Sequence, residues 1–341
     1  MKIFINRLFR FSFFPLLLFT LFVIPNIFFS ERFTFRSWEN LHWYKQPEGF
    51  MGRFYPNQSI YRTEYGDLGH DTQFAVSKES IWITDQLGFR NYDIPSKMDI
   101  LIVGDSYANG CSVSQDETLS SQIKKLSGLQ TYQMMIGLDK TLFMIETKKI
   151  PKPSVIIYNI VERNILEIQF TEKTRPSYSL DKNINDFDIF KDKVQKNVFM
   201  NRFISILNPN PLGIQSSINP KYFFLEGENA LISLKNDQID SITLSLSHYR
   251  QVLQDRGIKF LFLPVPNKET IYYDFVPLQS QPISLHQLYT DLEKSGINYI
   301  NLLDVYNSNK DKTLLYHFDD SHWNSTAIKI AADEVINSQI F

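Results

Sequence analysis

The stretch Asp99-Ile100-Leu101-Ile102-Val103-Gly104-Asp105-Ser106-Tyr107-Ala108-Asn109-Gly110 decides the fold class of this chain. An apolar run without polar alternation, Ile100 to Val103, predicts a strand buried on both faces of a parallel sheet. The run ends at Gly104, and a carboxylate and a hydroxyl follow at once. Ser106 thus falls at the carboxyl end of a central strand, where open α/β sheets place their ligands. Leu119, Ile123 and Leu126 then recur at helical spacing, so residues 115–126 read as the next helix. A Ser on a strand-to-helix turn presents its hydroxyl to solvent and its N–H outward, which suits a nucleophile. The same position also suits a Ser that merely caps the helix.

From residue 98 onward strands and helices alternate, the pattern of a doubly wound sheet. Strands are expected at 130–137, 154–161, 258–263 and 299–303, and helices at 141–149, 237–256, 284–295 and 325–337. Residues 171–235 lose this periodicity, with polar KDKVQK and NPNP runs, and read as a long insertion that forms a lid or substrate wall. Residues 33–97 are rich in aromatics and turn formers and read as a β-containing lead-in packed on the catalytic domain 98–341. Within it, Arg90 reads as a structural pair or a substrate contact, with the structural role favoured.

The N-terminus has a different composition. Residues 11–29 run for 19 positions without a charged side chain, after Lys2, Arg7 and Arg10. At about 1.5 Å per residue this spans roughly the hydrocarbon core of a bilayer. Residues 1–32 therefore read as one transmembrane helix, N-terminus in, which places the rest of the chain outside the cytoplasm. A cleaved signal peptide is the competing reading, and the absence of a small-x-small site after the run argues against it.

Bulk composition excludes several classes. The 341 residues suffice for one elaborated α/β domain plus an anchor, and the net charge of −2 gives no sign of a nucleic-acid partner. Cys111 is the single cysteine, so no intrachain disulfide and no cysteine-based metal site can form. No Gly-rich phosphate loop is present, the carboxylates are too scattered for a glycosidase pair, and His42, His70, His248 and His286 sit in no ligand spacing. No cofactor or metal is expected.

The last loop reads Tyr316-His317-Phe318-Asp319-Asp320-Ser321-His322-Trp323-Asn324. An acid and a His this close, just before a terminal helix, suit a base held in its tautomer by a carboxylate. Ser106 needs such a base, and both segments converge if both lie at the carboxyl edge of one sheet.

These segments resemble the SGNH/GDSL hydrolase superfamily, and within it the alginate O-acetyltransferase-like branch (AlgX/AlgJ-like). Gly104-Asp105-Ser106 matches the GDS block, and Gly137 falls where the second block supplies an oxyanion-hole N–H. The third block, usually Gly-x-Asn-Asp, appears as Glu162-Arg163-Asn164, with the usual Asn donor replaced. Pro264-Val265-Pro266-Asn267-Lys268 with Tyr272 looks like the branch's Pro-x-x-Lys…Tyr run, and Asp320-Ser321-His322-Trp323 like its Asp-x-His-Trp motif. In the alginate enzymes that motif precedes the Ser; here it follows, as in ordinary superfamily esterases. Asp319 fits the Asp-x-x-His spacing of those esterases and is the alternative acid.

The resemblance implies a three-layer, flavodoxin-like, mostly parallel sheet with helices on both faces. It implies Ser106, Asp320 and His322 as the catalytic set, with Gly137, Arg163, Lys268, Asp105, Tyr272 and Trp323 as oxyanion or substrate candidates. The implied activity is O-acetyl transfer to a cell-surface polysaccharide through an acyl-Ser, beside a multispanning membrane acyltransferase that delivers the acyl group. An acetylesterase of the same fold, or a non-catalytic glycan-binding protein on the same scaffold, are the rivals.

Overall fold

The computed structural model describes residues 2–170, 183–207, 213–225, 234–276 and 284–341. The chain opens with α1 (Lys2–Leu18), a π-helical turn Phe19–Val23 and α2 (Ile24–Phe28). Across these elements Arg7–Phe28 forms one run of 22 residues, long and apolar enough to cross a membrane and almost wholly exposed.

The lead-in follows, with α3 (Ser37–Leu41) and an antiparallel hairpin of β1 (Ser59–Glu64) and β2 (Lys78–Ile83). It has its own aromatic core of Trp43, Phe50, Phe54, Tyr55 and Trp82. Cys111 packs into this second core from the turn after Ser106. Arg90 is structural: it is fully buried, donates to the carbonyls of Asn109, Ile81 and Val113, and stacks over Trp82 at 3.8 Å.

The main sheet begins at β3 (Ile100–Gly104), followed by α4 (Leu119–Ser127), β4 (Thr131–Met134), α5 (Leu138–Glu146) and β5 (Val155–Val161). All seven residues of β5 are buried, including Asn159, whose Nδ2 donates to Leu263 O at 3.2 Å. Gly104 is fixed by this neighbour: at φ +155° its Cβ position lies 1.7 Å from the carbonyl oxygen of Asn159, so only glycine lets β3 and β5 close here.

The stretch read as a long insertion contains, in its described part, α6 (Asp186–Lys196), α7 (Val198–Leu207) and a hairpin of β6 (Gly213–Gln215) and β7 (Phe223–Leu225). In the KDKVQK run Lys191 and Gln195 are exposed, Lys196 Nζ donates to His42 O at 2.7 Å, and buried Asp192 accepts from the N–H groups of Tyr44 and Lys45 and from Tyr55 Oη. Inward polar side chains of this kind are invisible to a periodicity count. Residues 171–182, 208–212 and 226–233 of that stretch lie outside the described residues.

The alternation resumes with α8 (Asn236–Gln254), β8 (Lys259–Val265), the short α9 (Lys268–Ile271), α10 (Ser284–Lys294), α11 (Leu302–Asn307) and α12 (Ser325–Asn337). The sheet order is β4-β3-β5-β8, all parallel. The strand expected at 299–303 shrinks to one parallel bridge, Phe262 to Tyr299. The Asn301 side chain accepts from Asp304 N–H and caps α11 there, so Leu302 and Leu303 are buried as helix. With that bridge as a fifth position, the order is the flavodoxin-like one, and its switch point falls between β3 and β5. Crossovers run in opposite directions from β3, and by the right-handed rule for parallel connections this puts helices on both faces; α4 packs on β4 and α12, and α8 on β8 and α10.

Candidate active site

Two turns meet at the carboxyl edge of this sheet. Ser106 follows β3, half-buried, on a turn in which Asp105 Oδ1 accepts from Tyr107 N–H at 2.9 Å. The second Asp105 oxygen accepts from Val161 N–H at 3.0 Å and Asn164 Nδ2 at 2.8 Å, tying the ends of β3 and β5 together. The His322 loop is fixed on its far side by Asn324, whose side chain accepts from Ala327 N–H to cap α12 and donates to Leu314 O. Between them, His322 Nε2 lies 2.9 Å from Ser106 Oγ and His322 Nδ1 lies 2.8 Å from Asp320 Oδ1. Hydroxyl, imidazole and carboxylate in that order are what an activated serine requires.

Asp320 is buried, and burial alone would raise its carboxyl. Lys78 Nζ at 3.1 Å, the hydrogen bond and charge of His322, and the charge of Arg36 hold it well below the ordinary carboxylate range. An acid that stays ionised keeps Nδ1 protonated and leaves Nε2 able to accept the serine proton. Asp319 does something else. Its Oδ2 accepts from the N–H groups of Gly66 and Val76, and its carbonyl from those of Leu68 and Gly69. Gly66 is required by this contact, since its Cβ position would lie 2.0 Å from the Asp319 carbonyl oxygen. Asp319 therefore clasps the lead-in, and Asp320 faces the imidazole.

Three residues that the sequence did not flag converge behind His322, all from the lead-in. Asp67 accepts from Ser321 N–H at 2.7 Å and Ser321 Oγ at 2.6 Å, and its Oδ2 lies 3.7 Å from His322 Nδ1. Arg36 pairs with Asp67 at 3.4 Å, and Lys78 with Asp320. Asp67, Asp320 and His322 bring ligand atoms within 4.8 Å of one another, as a cation site would. Arg36 and Lys78 already place positive charge on both carboxylates, which answers the electrostatic demand a metal would meet.

Ser106 opens onto a cleft of about 480 Å³ that is also lined by Asp105, Gly137, Asn164, Tyr158 and, from the lead-in, Met51 and Arg53. Gly137 is exposed and is the N-cap of α5, so its N–H belongs to the unsatisfied set at a helix start. Asn164, which sequence comparison treated as the remnant of a replaced block, reaches this cleft; Arg163 beside it does not line it. Arg163 Nη1 instead lies 3.4 Å from Tyr107 Oη, and its guanidinium sits over the Tyr107 ring, which in turn packs on His322.

The remaining candidates are not brought to the cleft. Lys268 is fully buried and donates to the carbonyls of His317 at 2.6 Å, Phe223 at 2.7 Å, Phe318 at 2.9 Å and Asp320 at 3.0 Å. Burial draws its ammonium down to about 8, opposed by Glu269, Asp320, Asp67 and Asp319. Tyr272 Oη accepts from Leu315 N–H, and Trp323 is buried with its carbonyl accepting from Ser112 Oγ. These three side chains shape the His322 loop from behind. His317 is buried, and burial with the nearby Lys78 charge lowers it to about 3, so it stays neutral.

Residues 219–338 match the model of the SGNH hydrolase-like domain of acetyltransferase AlgX. The matched segment holds β8, Lys268 and the Asp320/His322 loop; Ser106 lies upstream of it. No curated protein sequence matches the chain. Among solved structures, a member of the lipolytic protein G-D-S-L family from Veillonella parvula is similar at 10% identity and a TM-score of 0.37, covering 70% of this chain and 97% of its own. The acetyl xylan esterase AlAXEase is similar at 12% identity and 0.38, with 71% and 100% covered. Axe2, an acetylxylan esterase from Geobacillus stearothermophilus, is similar at 11% identity and 0.36, with 72% and 95% covered.

Proposed function

We propose that this chain, whose residues 219–338 match the SGNH hydrolase-like domain of acetyltransferase AlgX, is a serine-dependent O-acetyltransferase. Its acceptor is a cell-surface polysaccharide, and it is held at the membrane by residues 11–29 with the catalytic domain outside the cytoplasm. One observation carries the reading: Ser106 Oγ, His322 and Asp320 form a single hydrogen-bonded line at 2.9 and 2.8 Å.

Ser106 Oγ attacks the carbonyl of an acyl donor as its proton passes to His322 Nε2. Asp320 holds the imidazole and stabilises the cation that forms. The N–H groups of Ser106 and Gly137, with Asn164 Nδ2 beside them, stabilise the tetrahedral oxyanion; losing one such donor costs about 2.7–4 kcal/mol. Collapse expels the donor's leaving group, which takes the proton from His322. A sugar hydroxyl then attacks the acyl-Ser carbonyl and gives its proton to His322; collapse breaks the bond to Ser106 Oγ, which takes that proton back, and the sugar leaves acetylated. Arg53 and Lys140, both exposed on the cleft wall, offer charge-assisted hydrogen bonds to a polyhydroxylated or anionic glycan. The acyl donor comes from a multispanning membrane acyltransferase partner, in keeping with the AlgX-like branch.

Incubation of the full chain in detergent with p-nitrophenyl acetate and added oligosaccharide tests the transfer. The expected product is an oligosaccharide heavier by one acetyl group. Release of acetate into water at the same rate with and without acceptor, and no acetylated sugar, overturns the transferase reading in favour of an esterase.

A further inference from the structure

Helix α7 has its amphipathicity reversed. A surface helix normally turns its apolar stripe to the protein and its polar face to water. In α7, Arg202 turns inward and pairs with Asp71 at 2.9 Å, Ser205 lies beside it, and Val198 is buried. At about 100° per residue, Phe203, Ile204 and Leu207 fall on the opposite half, with Ile206 on its flank. These four side chains are 48%, 51%, 63% and 61% exposed, in that order. Contiguous apolar surface of this kind on a folded protein marks a contact site.

What covers it follows from where α7 is pinned. Asn26, buried near the end of the apolar N-terminal run, donates to Asn197 Oδ1 at 2.8 Å and accepts from Phe199 N–H at 3.0 Å. Phe33 meets Phe199 edge to face at 5.1 Å. The first turn of α7 is thus fastened to the foot of the helix long enough to cross a membrane, where Phe28 and Phe29 are themselves exposed. We propose that α7 is an interfacial helix, its outward face of Phe203, Ile204, Ile206 and Leu207 seated in the lipid surface beside the N-terminal anchor. This rests on the reading of residues 11–29 as that anchor. A helix with an apolar half and a polar half lies in the plane of the headgroups with its apolar side in the acyl boundary. Two attachments, one spanning and one lying flat, fix the rotation of the catalytic domain and therefore the direction in which the Ser106 cleft faces.

The test uses the full chain in vesicles of phosphatidylcholine and phosphatidylglycerol, with one added cysteine per variant carrying an environment-sensitive fluorophore. The variants are Ile204→Cys, Leu207→Cys, Phe13→Cys inside the apolar run, and Leu126→Cys at an exposed position of α4; buried Cys111 in the unaltered chain sets the background. Labels at 204 and 207 are expected to be quenched several-fold more by nitroxide lipids than a label at 126, and to resist aqueous iodide. If 204 and 207 respond to iodide as 126 does while 13 is quenched by mid-bilayer nitroxide, the anchor stands and the α7 proposal falls. If 13 is also open to iodide, the anchor reading fails and takes the proposal with it. Labels at 204 and 207 shielded from both quenchers mean that a second copy covers the face, which also overturns it.

Discussion

Replacing Lys268 by Met separates two roles that its position in the sequence left open. The ammonium is fully buried and its three protons serve four carbonyls, those of Phe223, His317, Phe318 and Asp320. Phe318 O keeps a second donor, Phe223 N–H at 2.9 Å. The others lose a charged donor, and each buried acceptor left unpaired costs about 1–3 kcal/mol. Buried Glu269 and Asp320 also lose a neighbouring cation, so the sum falls in the range of about 3–5 kcal/mol that follows removal of one partner of a buried charge. Lys268→Met should therefore lower the urea midpoint, followed by tryptophan fluorescence, by an amount corresponding to that loss. Activity should fall with the folded fraction and with loosening of the loop that carries Asp320 and His322. Wild-type stability combined with a collapsed kcat would refute this reasoning and return Lys268 to the substrate.

Three further outcomes follow from the site. Asp320→Asn should cost about 10⁴ in kcat by fixing the wrong tautomer, whereas Asp319→Asn should leave the chemistry and lower stability by loosening the Gly66–Val76 turn; equal kinetic losses would contradict the division between the two acids. Asp67→Asn removes a carboxylate 3.7 Å from Nδ1 and should slow acylation by about tenfold, roughly 1.4 kcal/mol, measured as the rate of p-nitrophenol release. Burial raises the Glu162 carboxyl to about 7, with Asn267 N–H and Thr270 Oγ1 opposing the rise and the Glu269 charge adding to it. A folded-state value above the unfolded one contributes stability below about pH 4.5 that is lost as pH rises through about 7, by at most about 3 kcal/mol. The Tm should fall over that window, and Glu162→Gln should flatten the fall; a profile unchanged by the substitution counts against a neutral buried Glu162.

The parallel sheet was legible because β3, β5 and β8 are largely apolar runs bounded by Gly, Pro or polar turns, as burial on both faces demands; β4, Thr131–Met134, is buried although it carries Gln133. Ser106 and the Asp320/His322 loop were legible for a related reason, since each adjoins an element whose end the sequence marks, the strand before Ser106 and the terminal helix after His322. The failures have physical causes too. Residues 299–303 are as apolar as a strand, but the Asn301 cap turns them into helix. The helix at 186–196 went unread because its inward contacts are made by polar residues, Asp192 and Lys196, which leave no apolar period. Asp67, Arg36 and Lys78 lie hundreds of positions from His322 and approach it only through the clasp on Asp319. No local spacing encodes that. Lys268 and Tyr272 were found as a motif, but the motif shapes the back of the loop rather than the cleft.

The central claim is that Ser106 is the nucleophile. Reaction of the full chain with a fluorophosphonate probe, followed by mass spectrometry of the labelled peptide, tests it most directly. The account predicts stoichiometric label on Ser106 in the wild type, none in Ser106→Ala, and severely slowed labelling in His322→Ala. Label on another serine, or label that persists in Ser106→Ala, would contradict it.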